Sequence, residues 1–222
     1  MIKLSKAGKM PCPSFSTPAL RACPGAIDPE TKTLKPVCKS CYATKGTYNY
    51  PSVKKLREDN LKATEDSDFV STMVSLINNG GNRYFRWFDS GDIHSELMLA
   101  KVTEVCKETP EVKHWIPTKS RELFSSELWA KLESLPNVRV RYSSPSIDGS
   151  FESLKHGSVV YKFLERIKTT LNFVANFKPS TFLFLCPVGL TKASKLAKER
   201  KSCEDCRACW SKDITIVAYR LH

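Results

Sequence analysis

Cysteines are the residues of this 222-residue chain best suited to do chemistry, and all nine except Cys106 lie in two segments near its ends. Towards the carboxyl end, Cys203, Cys206 and Cys209 are separated by two residues each, and Cys186 precedes a proline. Three cysteines at this spacing and a remote Cys-Pro form the ligand set of a ferredoxin-type 4Fe-4S cluster. We call these four residues the second cysteine set. Four thiolates leave no open coordination position, so the set predicts a closed site, structural or electron-relaying, with zinc as the alternative metal.

The first cysteine set consists of Cys23, Cys38 and Cys41, separated by 14 residues and then by 2. Three thiolates on a four-iron cluster leave one iron free for an outside ligand, which is a catalytic arrangement. A fourth ligand from Cys12 or from another side chain would close this site. A zinc ion held by the same three cysteines and completed by Cys12 or a histidine is the alternative.

The cysteine count and the start of the chain both bear on its compartment. An odd number of clustered cysteines argues against a disulfide framework and favours metal ligation in a reducing compartment. The amino-terminal residues include no apolar stretch of signal-peptide length, and no run is long enough to cross a membrane. The sequence therefore predicts a cytoplasmic protein that does not associate with membranes.

Positive charge accumulates in the same two segments, and the whole chain carries a net charge of +12. Residues 1–57 hold 11 Lys and Arg against 2 Asp and Glu, and residues 186–222 hold 8 against 4. Residues 58–185 are nearly balanced, with 16 against 17. This distribution indicates a basic surface around the metal for nucleic acid, phosphate or a carboxylate-bearing ligand. Compensation of anionic clusters explains it equally well.

The hydrophobic pattern predicts a regular alternation of strands and helices after a long aperiodic stretch from 5 to 50. The predicted strands are 84–88, 113–117, 138–142, 159–163, 182–185 and 214–219, with Ile2–Leu4 as a further candidate; the predicted helices are 52–63, 66–79, 95–108, 121–135 and 191–200. Such βα repeats favour a parallel sheet, open or curled into a partial barrel. One α/β domain, 1–222, would comprise a metal-binding loop region (1–50), a βα core (51–185) and a cysteine-rich segment with the last strand (186–222).

Ligand-binding residues of parallel sheets lie at the carboxyl ends of the strands. Asp89, Ser90, Gly91 and Asp92 follow the first predicted strand of the core, and Ser143 follows the third. The carboxylates could pair with the ammonium group of a cofactor, and Gly91 would allow its close approach. Asp92 or Ser95 as the cap of the next helix is the alternative explanation. We found no phosphate-binding glycine loop, zinc-protease motif or serine-nucleophile elbow.

Two family resemblances follow from these motifs. The segment Cys38-Lys39-Ser40-Cys41-Tyr42, at the mouth of a βα array with a second cluster near the chain end, resembles the radical S-adenosylmethionine (SAM) superfamily. That resemblance implies a partial βα barrel and a SAM cofactor, bound partly by residues after the second strand. In that superfamily the first two cysteines lie closer together than Cys23 and Cys38 do.

The resemblance to the gene product 88 family of phage proteins is closer and covers nearly the whole chain. Five segments carry it: Pro11-Cys12-Pro13-Ser14, Cys23-Pro24-Gly25, the stretch from Cys38 to Ala43, the stretch from Phe85 to Asp92, and the stretch from Cys203 to Trp210. It implies a viral origin, and hence the host cytoplasm, but no particular reaction.

Two functional hypotheses remain open at this point. In the first, the protein is a radical-SAM-like enzyme that acts on an anionic or nucleic-acid-related substrate and receives electrons from a reductant protein. In the second, it is a non-catalytic module in which iron–sulfur clusters or zinc brace a basic surface for host nucleic acid or a host protein. The number of ligands at the first cysteine set distinguishes them, because a fourth ligand from Cys12 would weaken the enzyme hypothesis.

Overall fold

One all-parallel sheet organises the computed structural model, which describes residues 1–6, 10–148, 157–162, 183–187, 203 and 206–221. Its strands are β1 (Ser14–Phe15), β2 (Tyr84–Trp87), β3 (Lys113–Thr118), β4 (Val138–Ile147), β5 (Gly157–Tyr161), β6 (Leu183–Leu185) and β7 (Ile216–Arg220). They lie in the order β1-β2-β3-β4-β5-β7-β6, and each neighbouring pair is parallel. The sheet is open, so of the two predicted arrangements the open one is observed.

Helices in the described residues connect these strands and begin where the sequence provides a start. They are α1 (Pro36–Lys39), α2 (Pro51–Ala63), α3 (Phe69–Asn79), α4 (Glu96–Glu108) and α5 (Ser126–Ser134). Pro51 occupies the first turn of α2, where its missing N–H costs nothing. Ser95 caps α4, because its Oγ accepts the Met98 N–H at 3.0 Å. None of the described helices has the length and apolarity to cross a membrane.

The main hydrophobic core lies between one face of the sheet and helices α2 to α5. Phe15, Phe85 and Trp87 project from β1 and β2 into this core, and Trp87 is fully buried. The alternation of β4 sends Val138, Val140 and Tyr142 to the same face. The helices thus cover one face of the sheet. Because a slip by one residue would turn these apolar side chains to the other face, their burial fixes the register of the strands whose carboxyl ends carry the predicted site.

The opposite face of the sheet is covered by the cysteine-rich carboxyl-terminal segment. Trp210 packs edge-on against Tyr84 and Trp115, with ring centroids 5.4 and 5.3 Å apart. Arg139 and Arg141 of β4 also point to this side and are buried under the same segment. The second face is therefore an interior surface lined by aromatic and cationic side chains.

Most predicted elements are observed, with differences at the amino terminus, at α5 and at β4, which continues to Ile147, so that Ser143 lies within the strand and not after it. Ile2–Leu4 is not a strand; the edge strand β1 lies instead at Ser14–Phe15, inside the stretch predicted to be a loop. The helix predicted over 121–135 begins with a separate 3-10 turn, Arg121–Leu123, before α5. The helix predicted over 191–200 lies outside the described residues.

A buried histidine makes the stability of the core depend on pH. His114 accepts the Trp87 Nε1–H on Nδ1 at 3.2 Å, and its Nε2 lies 2.8 Å from Thr109 Oγ1, so the ring is held neutral. Burial lowers the pKa of His114 from 6.5 to about 4. Only the unfolded state then gains a proton as pH falls below 6.5, and folding stability declines.

We expect the free energy of unfolding to drop by about 1.4 kcal/mol per pH unit as pH is lowered below 6.5. Urea titrations between pH 7 and 5 would measure this slope, to which His94 adds a change of the same sign because burial lowers its pKa as well. The His114→Gln variant should show a flatter profile than the wild type. An equal slope in wild type and variant would contradict the assignment.

Candidate metal centres at the two cysteine sets

The first cysteine set lies over the carboxyl ends of strands β2 to β4. Cys23 and Cys41 each directly precede a 3-10 turn, and Cys38 lies in α1, which contacts β4. The Asp92 N–H donates to the Ala22 carbonyl at 2.9 Å, which ties this segment to the loop after β2. The three thiols therefore lie at the edge of the sheet where the sequence predicted the chemistry.

Two opposite charges act on the thiols of the first set. Burial raises the pKa of Cys23 to about 12, with a further increase from Asp92 and a decrease from Lys119. Burial also raises the pKa of Cys38, on which the same two charges act. A negative charge on Cys41 would raise the pKa of both thiols, so the three side chains lie close enough to influence one another. Metal binding here must displace protons, because the ligand is the thiolate.

The loop after β2 packs tightly against the end of β1. Gly91 has a φ of 89°, and a Cβ there would lie 1.9 Å from Thr17 Oγ1. Ser90 Oγ donates to the Thr17 carbonyl at 2.8 Å. Asp92 is buried and accepts the Lys119 and Ile93 N–H groups at 2.8 and 2.7 Å, and burial raises its pKa. Gly91 is needed at this close approach, and Asp92 ties the loop to the end of β3.

Asp89 anchors the stretch after the first cysteine set to the sheet. Its carboxylate accepts from Arg86 Nη1 at 2.8 Å and from the Tyr48 hydroxyl at 2.6 Å. The Tyr42 hydroxyl donates to the Asp89 carbonyl at 2.6 Å and accepts from Arg86 Nη2 at 3.0 Å. The Arg57 guanidinium lies 4.3 Å from the centre of the Tyr48 ring. This network holds residues 42–48, and hence Cys41, in place.

Removal of the Tyr48 hydroxyl should destabilise this network. In Tyr48→Phe the Asp89 carboxylate loses a half-buried, charge-assisted donor, which is worth about 2 kcal/mol. We expect the melting temperature to fall by about 5 °C. Tyr50→Phe is the matched control, because the Tyr50 ring is 59% exposed and lies outside the network. Equal melting temperatures for the two variants would contradict this role.

The second cysteine set lies on the opposite face of the sheet from the helices. Cys209 is buried against Trp115 and Trp210, and Cys186 and Cys203 pack onto the same cluster. Cys209 Sγ lies 3.0 Å from the Tyr219 hydroxyl, and burial raises the pKa of Cys209 to about 12. Cys206, which lies close to Cys209 in the sequence, is also buried. Cys186, Cys203 and Cys209 thus lie in or against one buried cluster, and their role as metal ligands stays a prediction.

Cys12 is found with the second set and not with the first. It is 1% exposed and belongs to the buried cluster that contains Cys209. Its thiol also lies close enough to Cys203 for a charge there to raise its pKa, although burial is the larger cause. Cys106 is buried in the core on the helical face. The first cysteine set is left with its three predicted thiols.

Several buried polar atoms have no hydrogen-bond partner in the part of the chain that the structure describes. They include the hydroxyls of Thr17 and Ser120 after β1 and β3, and Arg86 Nε and Trp115 Nε1 on the second face. Buried polar groups without partners are rare in folded proteins and call for a ligand or water. Trp115 belongs to the same buried cluster as Cys12 and Cys209, so a group bound there could accept a hydrogen bond from its indole N–H.

The thiols of both sets are suitable ligands for a metal or cluster by their chemistry and by their location in the fold. The distances between their side chains do not yet allow them to hold one. Among the described ranges, no three His, Cys, Asp or Glu side chains converge to hold a metal ion. Binding at either set therefore requires the thiol side chains to move closer together.

The residues predicted to bind a cofactor are already engaged within the protein. Asp89, Ser90 and Asp92 make the hydrogen bonds described above, and Ser143 Oγ accepts from Ser158 Oγ at 3.1 Å. A ligand would have to share or displace these contacts, so their role in binding stays a prediction. Sequence reasoning did not find the roles of Arg86 and Arg141, for which the only available sign was arginine alternating with apolar residues on β2 and β4.

In the part of the chain that the structure describes, the molecule is an α/β protein with an open parallel sheet and cysteines gathered at one edge and on one face. The chain belongs to the gene product 88 family, whose sequence model matches residues 2–212. This confirms the closer of the two family resemblances and leaves the radical SAM resemblance without support. Neither a curated protein nor a solved structure matches the chain.

Proposed function

We propose that this gene product 88 protein is an iron–sulfur protein with radical-SAM-like chemistry at its first cysteine set. Cys23, Cys38 and Cys41 would hold a 4Fe-4S cluster, and the second set would hold a further cluster that is structural or relays electrons. The observation that carries the proposal is the position of Cys12 with the second set, because it leaves three thiols over the carboxyl edge of the sheet. Zinc is the alternative metal at either set.

The residues around the first set have roles consistent with this proposal. A cluster bound by three thiolates supplies an open iron for an exogenous ligand and one electron at a time. Asp92 and Lys119 act on the thiols of Cys23 and Cys38 with opposite charges. Among the described residues, the buried hydroxyls of Thr17 and Ser120 have no partner, so a polar ligand such as SAM could bond to them once the packing of Gly91 against Thr17 opens.

Electron paramagnetic resonance of the reconstituted, reduced protein tests this function. We expect a 4Fe-4S signal whose shape changes when SAM is added, and the change should vanish in Cys38→Ser. The Cys106→Ala variant is the control, since Cys106 is buried on the helical face, away from both sets. A cluster signal that SAM leaves unchanged would overturn the SAM-dependent reaction.

The basic charge of the chain favours an anionic substrate or partner at the same edge. Lys39 and Lys45 flank Cys41 and are exposed, and Lys35 and Lys119 act on the thiol of Cys38. A phosphate- or carboxylate-bearing substrate would be attracted to such a rim, and so would an acidic reductant protein.

A non-catalytic nucleic-acid-binding module is the second candidate, and exposed aromatic groups favour it. Tyr50 is 59% exposed, and the exposed lysines Lys45, Lys54 and Lys55 lie within five residues of it in the sequence. Aromatic rings between cations bind single strands by stacking and phosphate contact. Tight binding of a labelled oligonucleotide that weakens steeply with salt, together with an absent SAM response, would favour this function.

A further inference from the structure

Cys12 occupies a buried position that its sequence context does not explain. It precedes β1 between two prolines and packs on the face of the sheet opposite the helices. Its neighbours there are the rings of Trp115 and Trp210 and the buried Cys209, with Cys186 and Cys203 against the same cluster. Four cysteines from three separate parts of the chain therefore meet on one surface.

The surroundings of Cys12 carry positive charge and unused hydrogen-bond donors. The guanidinium groups of Arg86 and Arg207 are close enough to act on the Cys12 thiol. Arg86 lies over the Trp115 ring, 4.6 Å from its centre. Among the described residues, Arg86 Nε and Trp115 Nε1 are buried donors that have no acceptor. A thiolate or an inorganic sulfide beside them would accept from both, which a neutral thiol does poorly.

We propose that Cys12 supplies one of the four thiolate ligands of the metal at the second cysteine set, in the place of Cys206, which lies outside the cluster that contains Cys12 and Cys209. The inference rests on the proposed function, because it presupposes a metal at that set. It explains why a cysteine of the amino-terminal segment is buried against the carboxyl-terminal one. Metal bound in this way joins the residues next to β1, β6 and β7. It therefore links the two outermost strands of the sheet, β1 and β6.

Metal release from two matched variants tests the inference. Both are made in a Cys23→Ser background, so that any remaining iron belongs to the second set. Cys12→Ala and Cys106→Ala each remove one buried thiol, and Cys12 and Cys106 are both at most 1% exposed. We expect Cys12→Ala to lose its iron or to release it to a chelator at least about tenfold faster than Cys106→Ala.

The outcomes separate this inference from the proposed function. Equal iron content and equal release rates in the two variants would overturn the role of Cys12 and leave the second metal site intact. A Cys23→Ser protein without any iron would overturn the second metal site, and the ligand role with it. Circular dichroism of both variants controls for folding, and a Cys12→Ser variant at the same position retains a polar side chain if Cys12→Ala proves unstable.

Discussion

Replacement of Arg141 by methionine should lower the melting temperature by about 10 °C, the largest single effect expected in this protein. Arg141 is fully buried, and its guanidinium donates to the carbonyls of Ala208, Cys209 and Ser211 at 2.7, 2.9 and 3.1 Å. Methionine fills similar volume but donates nothing, so these buried carbonyls lose their partner at a cost of about 1 to 3 kcal/mol each.

The same substitution should reduce the metal held by the second cysteine set, because Arg141 positions the turn that carries Cys209. Thermal denaturation and metal content of Arg141→Met would both be measured. Arg21→Met is the control, since the Arg21 side chain is 65% exposed and pairs only at the surface with Glu58. A melting temperature for Arg141→Met within 2 °C of the control would show that the buried guanidinium does not hold the segment.

The second large effect is expected from alanine at Gly25. A Cβ there would lie 2.3 Å from the Lys119 carbonyl oxygen, and the backbone at the end of β3 has little freedom to retreat. The turn Pro24–Ala26 must shift, and Cys23 shifts with it. We expect Gly25→Ala to lose the metal of the first set, to keep that of the second, and to be destabilised by about 2 kcal/mol.

Gly80→Ala provides the matched control for this steric argument. Gly80 follows α3, and its added Cβ would approach no closer than 3.2 Å to the Leu76 carbonyl. Iron content should be unchanged in Gly80→Ala and roughly halved in Gly25→Ala. If Gly25→Ala retains full iron at both sets, then Cys23 does not depend on this turn for its position.

The sequence was sufficient to predict most of the strands and helices that the structure describes, because strand and helix periods are local properties. Val138 to Tyr142 alternates strictly between apolar and cationic side chains, and the strand predicted over 138–142 is observed within β4. β1 was missed because it has two residues and lies among prolines, without enough length to show a period. Only its pairing with β2 makes Ser14–Phe15 a strand.

The composition of the candidate sites was harder to predict, because it depends on contacts between distant residues. The spacing of Cys203 and Cys209 could be recognised directly, and they do meet in one cluster. The place of Cys12 depends on the entry of the chain into β1 on the far face of the sheet, which no local pattern encodes. In the same way, the burial of Arg141 depends on a segment 67 or more residues away.

Iron, acid-labile sulfide and zinc in anaerobically purified protein are the most direct test of the central claim that the cysteines hold iron–sulfur clusters. With one 4Fe-4S cluster at each set, the proposal predicts about eight iron atoms and about eight sulfide ions per chain, with little zinc. Cys38→Ser and Cys209→Ser should each remove about half of both. Zinc without sulfide, or protein without metal after reconstitution, would contradict the claim.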